Sequence, residues 1–141
     1  MTFNEFNFKS QLQDGIDKAG FKEPSPIQEQ AIPVVLEGKD IVGQAHTGTG
    51  KTAAFGLPIL NQMKCDGSVE AVIIVPTREL AMQITDEIKK FGKYMGIKVA
   101  TVYGGQGMGL QLDQLDRGVE IVVATPGRLI DHLKRGSIEL R

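Results

Sequence analysis

Four short runs of β-branched residues, Ile41-Val42 and residues 69–75, 97–103 and 119–124, recur along the chain, and each is followed by a segment with helical spacing. This alternation constrains the fold more than any other feature. Parallel strands need crossover connections, and a crossover helix covers the sheet it returns to. The pattern therefore predicts an α/β fold, a parallel sheet flanked by helices. The clearest helical segment spans about residues 78–95, with Leu80, Ile84, Ile88, Phe91 and Met95 three or four apart along one face. A weaker one spans about residues 11–19 and carries Leu12, Ile16 and Ala19. Gly15 lies in its interior, at a cost of about 1 kcal/mol relative to Ala. Ser25-Pro26-Ile27-Gln28 reads as a helix start, with Ser as N-cap, Pro at the first helical position and Gln three residues after the cap. Gly38 marks the stop.

A chain of 141 residues, 41% hydrophobic and 23% charged, fits one globular domain with a single core. The longest apolar stretch, residues 71–75, is far short of the roughly 20 residues of a membrane-spanning helix. The start MTFNEFNFKS has neither the basic region nor the apolar core of a signal peptide, so export is not expected. The single cysteine, Cys65, excludes an internal disulfide, and no Cys/His grouping has zinc spacing. A cytoplasmic protein is the natural reading. Sixteen Lys and Arg against seventeen Asp and Glu give a net charge of -1. No global basic field attracts nucleic acid, so a bound polyanion must be held by a few placed groups. There is no internal repeat, low-complexity run or interdomain linker.

Between the first β-branched run and a helical pattern lies Ala45-His46-Thr47-Gly48-Thr49-Gly50-Lys51-Thr52. It matches the phosphate-binding loop with one relaxation, Ala45 standing where the strict pattern has its first Gly. Ala45, Thr47, Gly48, Thr49 and Gly50 form the cradle, Gly48 and Gly50 letting backbone N–H groups turn inward around phosphates. Lys51 brings a point charge to the outer phosphates, and the Thr52 hydroxyl suits Mg²⁺. The competing reading is an ordinary Gly/Thr-rich strand-to-helix loop. His46 is not required by this chemistry, and solvated loop residue and ligand contact stay open for it.

Three further junctions follow the remaining strands: Thr77-Arg78, Gly104-Gly105 and Thr125-Pro126-Gly127-Arg128. In a parallel sheet they share the carboxyl edge with the phosphate loop, where open α/β sheets bind ligands. Arg78 and Arg128 each stand in the first turn of a helix, where the macrodipole disfavours a cation by about 0.3 to 1 kcal/mol. An anion beside each reverses that, and nucleic-acid phosphates suit such sites. Alternatively each Arg is solvated or pairs with Glu79 or Asp131, and Gly104-Gly105 is a simple turn. Gln28 is likewise open between closing a capping box with Ser25 and reading the N6 and N7 edge of adenine. Phe3, Phe6 and Phe8 either pack or offer one ring for stacking on a base.

Taken together, Gly20-Phe21-Lys22-Glu23-Pro24-Ser25-Pro26-Ile27-Gln28, the phosphate loop, Pro76-Thr77-Arg78-Glu79-Leu80-Ala81, Gly104-Gly105 and Thr125-Pro126-Gly127-Arg128 resemble, in order and spacing, the N-terminal motifs of DEAD-box RNA helicases. The resemblance covers essentially the whole chain. It implies the N-terminal part of a RecA-like P-loop domain, with a nucleotide-recognition segment over residues 1–38 and the phosphate loop over 45–52. ATP, Mg²⁺ and single-stranded RNA are the implied ligands, bound together with a second RecA-like domain. By this resemblance Gln28 reads adenine, Phe21 supports the loop and Phe3 stacks on the base. Lys51 and Thr52 take the phosphate and magnesium roles, and Thr77, Arg78, Gly104, Gly105, Thr125, Pro126, Gly127 and Arg128 line the RNA backbone path.

The sequence departs from the family pattern at its end. The acidic motif that names the family, the Ser-Ala-Thr motif and the second domain are not in it, so no catalytic base is assigned. The expected consequences are a sheet lacking central strands, exposed edges, and a chain that is either unstable in isolation or a piece of a longer one. A cooperative thermal transition with a mesophilic Tm would count against that expectation. Two other functions remain in view: a different P-loop NTPase such as a small-molecule kinase, and a non-catalytic nucleotide- or RNA-binding fragment.

Overall fold

The computed structural model describes residues 2–43, 50–64, 66–105 and 107–138. It divides into two compact units, Met1–Met63 with Lys90–Met95, and Lys64–Lys89 with Gly96–Arg141.

The first unit is helical: a 3₁₀ turn at Phe3–Phe6, then α1 (Ser10–Lys18), α2 (Pro26–Leu36) and α3 (Lys51–Asn61). Helix α1 buries Leu12 and Ile16, four residues apart on one face, together with Gly15. The interior glycine, unfavourable by propensity, has a packing reason. The Phe91 carbonyl lies against Gly15 where a Cβ would stand. No side chain caps the start of α1; Lys9 anchors it instead, its backbone N–H donating to Asn61 Oδ1 at 2.8 Å and its ammonium to the Met63 carbonyl at 2.9 Å. Helix α2 starts where the sequence places it, with Ser25 as N-cap and Pro26 at N1, and gives way at Gly38 with φ 81°. It packs on α3, which buries Ala53, Ala54, Leu57 and Leu60.

The run Ile41-Val42 does not form the expected strand. Residues 41–43 have no regular structure, and Val42 is 95% exposed. A strand gains its backbone hydrogen bonds only from a neighbour, and the described residues of this unit contain no strand.

The other three β-branched runs do form strands, in the second unit: β1 (Ala71–Ile74), β2 (Val99–Val102) and β3 (Ile121–Ala124). They alternate with α4 (Arg78–Phe91, whose last two residues belong to the first unit), α5 (Met108–Asp116) and α6 (Pro126–Arg135). The sheet is parallel in the order β1-β3-β2, with Ala71 and Val99 both opposite Ile121. All four residues of β3 are buried, as expected of a central parallel strand. Ala100, Val102, Val119, Val122 and Ala124 form the core with Leu129 of α6 and Ile138.

One carboxylate organises the amino ends of the strands. Glu120, 2% exposed, accepts hydrogen bonds from the backbone N–H groups of Lys98 at 2.8 Å and Gly67 at 3.0 Å. Those three residues precede β3, β2 and β1, so the clamp fixes the register from which the opposite, carboxyl edge inherits its alignment.

Candidate nucleotide and nucleic-acid sites

In the first unit, the nucleotide candidates converge on Gly50. This residue caps α3 in the left-handed conformation, φ 84°, and Lys51 and Thr52 follow as the first two helical residues. Gln28 is 3% exposed and uses both ends of its amide: Oε1 accepts the Ser25 N–H at 2.9 Å, and Nε2 donates to the Gly50 carbonyl at 3.0 Å. The capping reading of Gln28 is therefore met, and the same side chain ties the start of α2 to the start of α3. Ser25 Oγ, on the other arm of the box, is buried with no partner of good hydrogen-bond geometry. A Cβ on Gly50 would strike Gln28 Nε2, so conformation and packing both require glycine there. An apolar cleft of about 300 Å³, with Lys51 in its wall, is lined by Ile27, Ala31, Val35, Ala54 and Phe55. Ala45, His46, Thr47, Gly48 and Thr49 lie outside the described residues, as does Cys65.

Phe21 makes an edge contact with Phe91 at 5.1 Å and lies 6.1 Å from Phe3. Phe3 is 1% exposed and also neighbours Phe6 at 6.0 Å. Its ring packs between those of Phe6 and Phe21. An aromatic ring gains more by full burial among other rings than by facing water.

In the second unit, Thr77-Arg78, Gly104-Gly105 and Thr125-Pro126-Gly127-Arg128 follow β1, β2 and β3, so all three junctions share the carboxyl edge of one parallel sheet. Thr77 Oγ1 accepts the Leu80 N–H at 3.2 Å and caps α4. Thr125 donates its N–H to the Val102 carbonyl at 3.0 Å, and Pro126 opens α6. The carboxylates weighed as partners for the arginines are engaged, at long range: Arg78 lies 3.5 Å from Glu79 and Arg128 Nε 3.9 Å from Asp131. Gly105 has φ 91° and needs to be glycine, whereas Gly104 and Gly127 have ordinary φ values and open space where a Cβ would stand. The fold does not demand glycine at those two positions.

Sequence reasoning missed the polar groups behind this edge. Gln111 and His132 are each 0% exposed. Gln111 Nε2 donates to the Tyr103 carbonyl at 2.9 Å, and its Oε1 accepts from Arg128 Nη1 at 3.2 Å and meets His132 Nε2 at 2.9 Å. Burial, reinforced by the positive charges of Arg128 and Arg135, holds the His132 imidazole below its ordinary range, with Asp131 opposing. A glutamine and a histidine on amphipathic helices carry no sequence signal that separates them from surface polar residues. No group of three or more metal-ligating side chains occurs among the described residues. No helix among them is long and apolar enough to cross a membrane.

Comparison with known proteins bears on the family and the fold. The chain is 53% identical to the DEAD-box ATP-dependent RNA helicase CshA of Streptococcus pneumoniae, over all of its own length and 27% of that protein's. It is 52% identical to RhpA of Helicobacter pylori, covering 97% of this chain and 28% of the relative. The chain thus spans about a quarter of the curated relatives it matches. The crystal structure of a DEAD box protein from the hyperthermophile Methanococcus jannaschii superposes with a TM-score of 0.94 at 41% identity, over 99% of this chain and 39% of that one. The family model described as DEAD/DEAH box helicase matches residues 25–141. Family model, curated relatives and fold coincide, and the chain belongs to the DEAD/DEAH box helicases.

Proposed function

We propose that this chain supplies nucleotide- and RNA-binding elements of an ATP-dependent RNA helicase, which couples ATP binding and hydrolysis to local remodelling of RNA duplexes. The observation that carries the reading is the Gln28 amide bridging Ser25 and Gly50. It joins the nucleotide-recognition segment to the residue directly before Lys51. The glycine-only cradle at Gly50 fits a phosphate ligand, because its open conformation continues into a helix start bearing Lys51 and Thr52.

In this reading Lys51 neutralises the outer phosphates, Thr52 offers its hydroxyl to Mg²⁺, and Gln28 offers its remaining N–H and lone pair to adenine. ATP, when bound, supplies the phosphoanhydride whose hydrolysis resets the helicase. The junction residues Thr77, Arg78, Gly104, Gly105, Thr125, Pro126, Gly127 and Arg128 grip the RNA backbone through N–H groups, guanidinium groups and close backbone approach. Phosphate contacts of this kind position a strand without reading its bases.

The full chain, titrated with a fluorescent ATP analogue and Mg²⁺, is expected to bind it, and Lys51→Ala to weaken binding at least about tenfold. RNA-stimulated phosphate release is expected to be absent. Turnover by this chain alone would overturn the view that hydrolysis needs acidic groups beyond the residues assigned.

A further inference from the structure

Arg128 is held by a chain of buried polar groups. The Tyr103 carbonyl can only accept a hydrogen bond and the Arg128 guanidinium can only donate, so together they fix which way the Gln111 amide points. With Oε1 as acceptor, His132 Nε2 must carry its hydrogen. Nδ1 is then left to accept from the Ser137 hydroxyl, 2.7 Å away. Each group along this path has a partner, and the path runs from the exit of β2 through α5 to the exit of β3.

We propose that Gln111 and His132 are positioning residues for Arg128. The proposal rests on the reading of Arg128 as a contact to RNA phosphate. Arg128 occupies the third position of α6, where the helix dipole disfavours it, and its side chain is only 15% exposed. An arginine free to choose rotamers loses that freedom when it binds. Gln111 Oε1 orders the guanidinium during folding, and His132 orders Gln111. The same amide ties the Tyr103 carbonyl, beside Gly104-Gly105, so two of the three junctions are held to one another.

The test is a double-mutant cycle read by anisotropy of a labelled single-stranded oligouridylate with the full chain. Arg128→Ala is expected to weaken binding about tenfold and Gln111→Met about threefold. Added to Arg128→Ala, Gln111→Met should weaken it no further, because a positioning residue has nothing left to position. His132→Phe should behave like Gln111→Met, while His132→Gln, whose amide N–H can replace Nε2–H, should retain binding. Thermal melts identify which single variants fold, and His132→Phe replaces Gln111→Met in the cycle if the latter does not. An undiminished loss in the Arg128→Ala background overturns the proposal. Unchanged affinity for Arg128→Ala alone refutes instead the RNA-contact reading beneath it.

Discussion

At the scale of single residues, Gly50 and His132 carry the sharpest consequences. Gly50→Ala forces a side chain into positive φ and against the Gln28 amide, a strain of about 1 to 3 kcal/mol. A fluorescent ATP analogue should bind this variant at least about tenfold more weakly, as 1.4 kcal/mol corresponds to one decade. Unchanged affinity would show that the Gln28 bridge is irrelevant to the nucleotide. For His132, burial and neighbouring positive charge keep the folded pKa below the unfolded value. The unfolded chain therefore takes up a proton that the folded chain refuses. Stability is fully present above about pH 6.5 and declines as pH falls from there toward the folded pKa. Urea midpoints should drop as pH falls below about 6.5, and His132→Gln should flatten that drop. An identical pH profile for this variant would place the titration elsewhere.

At the scale of elements, two local features reverse or extend what propensity suggests. Helix propensity alone makes Gly15→Ala stabilising by about 1 kcal/mol. The Phe91 carbonyl against Gly15 makes it destabilising instead, by about 1 to 3 kcal/mol, and a lower urea midpoint checks the sign. Glu120→Ala leaves the Lys98 and Gly67 N–H groups without their acceptor, a loss of about 2 to 4 kcal/mol. Glu120→Gln, which keeps one acceptor oxygen, should cost less.

The helix starts at Pro26, Arg78 and Pro126 were legible in the sequence because caps and prolines act within a few residues. The core strands were legible because β-branched runs survive into buried sheet. Ile41-Val42 was misread for the same reason that the others were read correctly: a strand is a property of a pair, and only one member is written locally. The reason for Gly15, the Glu120 clamp and the Gln111 network all depend on residues distant in sequence that meet only after folding.

At the scale of the whole molecule, the candidate residues fall into separate sets, Gln28, Gly50, Lys51 and Thr52 in one unit and the three junctions in the other. Each set is readable as a motif because it occupies a short stretch of sequence at a helix start. For Phe3 the sequence does not choose, since packing and stacking call for the same residue type. Ile74, at the end of β1, is 60% exposed, and among the described residues β1 pairs with β3 alone. Such an edge favours pairing between chains. Sedimentation velocity should show concentration-dependent association that Ile74→Lys reduces; association unaltered by the substitution would acquit this edge.

The strand order also sets a spatial order that the chain order conceals. Because β3 lies between β1 and β2, the junction encoded last occupies the middle of the edge. Its neighbours stand on either side at about one strand spacing, roughly 4.8 Å. The Arg78 guanidinium nonetheless crosses that edge to lie 3.9 Å from where a Cβ on Gly105 would stand, so a polymer there would meet the two outer junctions as one group rather than as opposite ends.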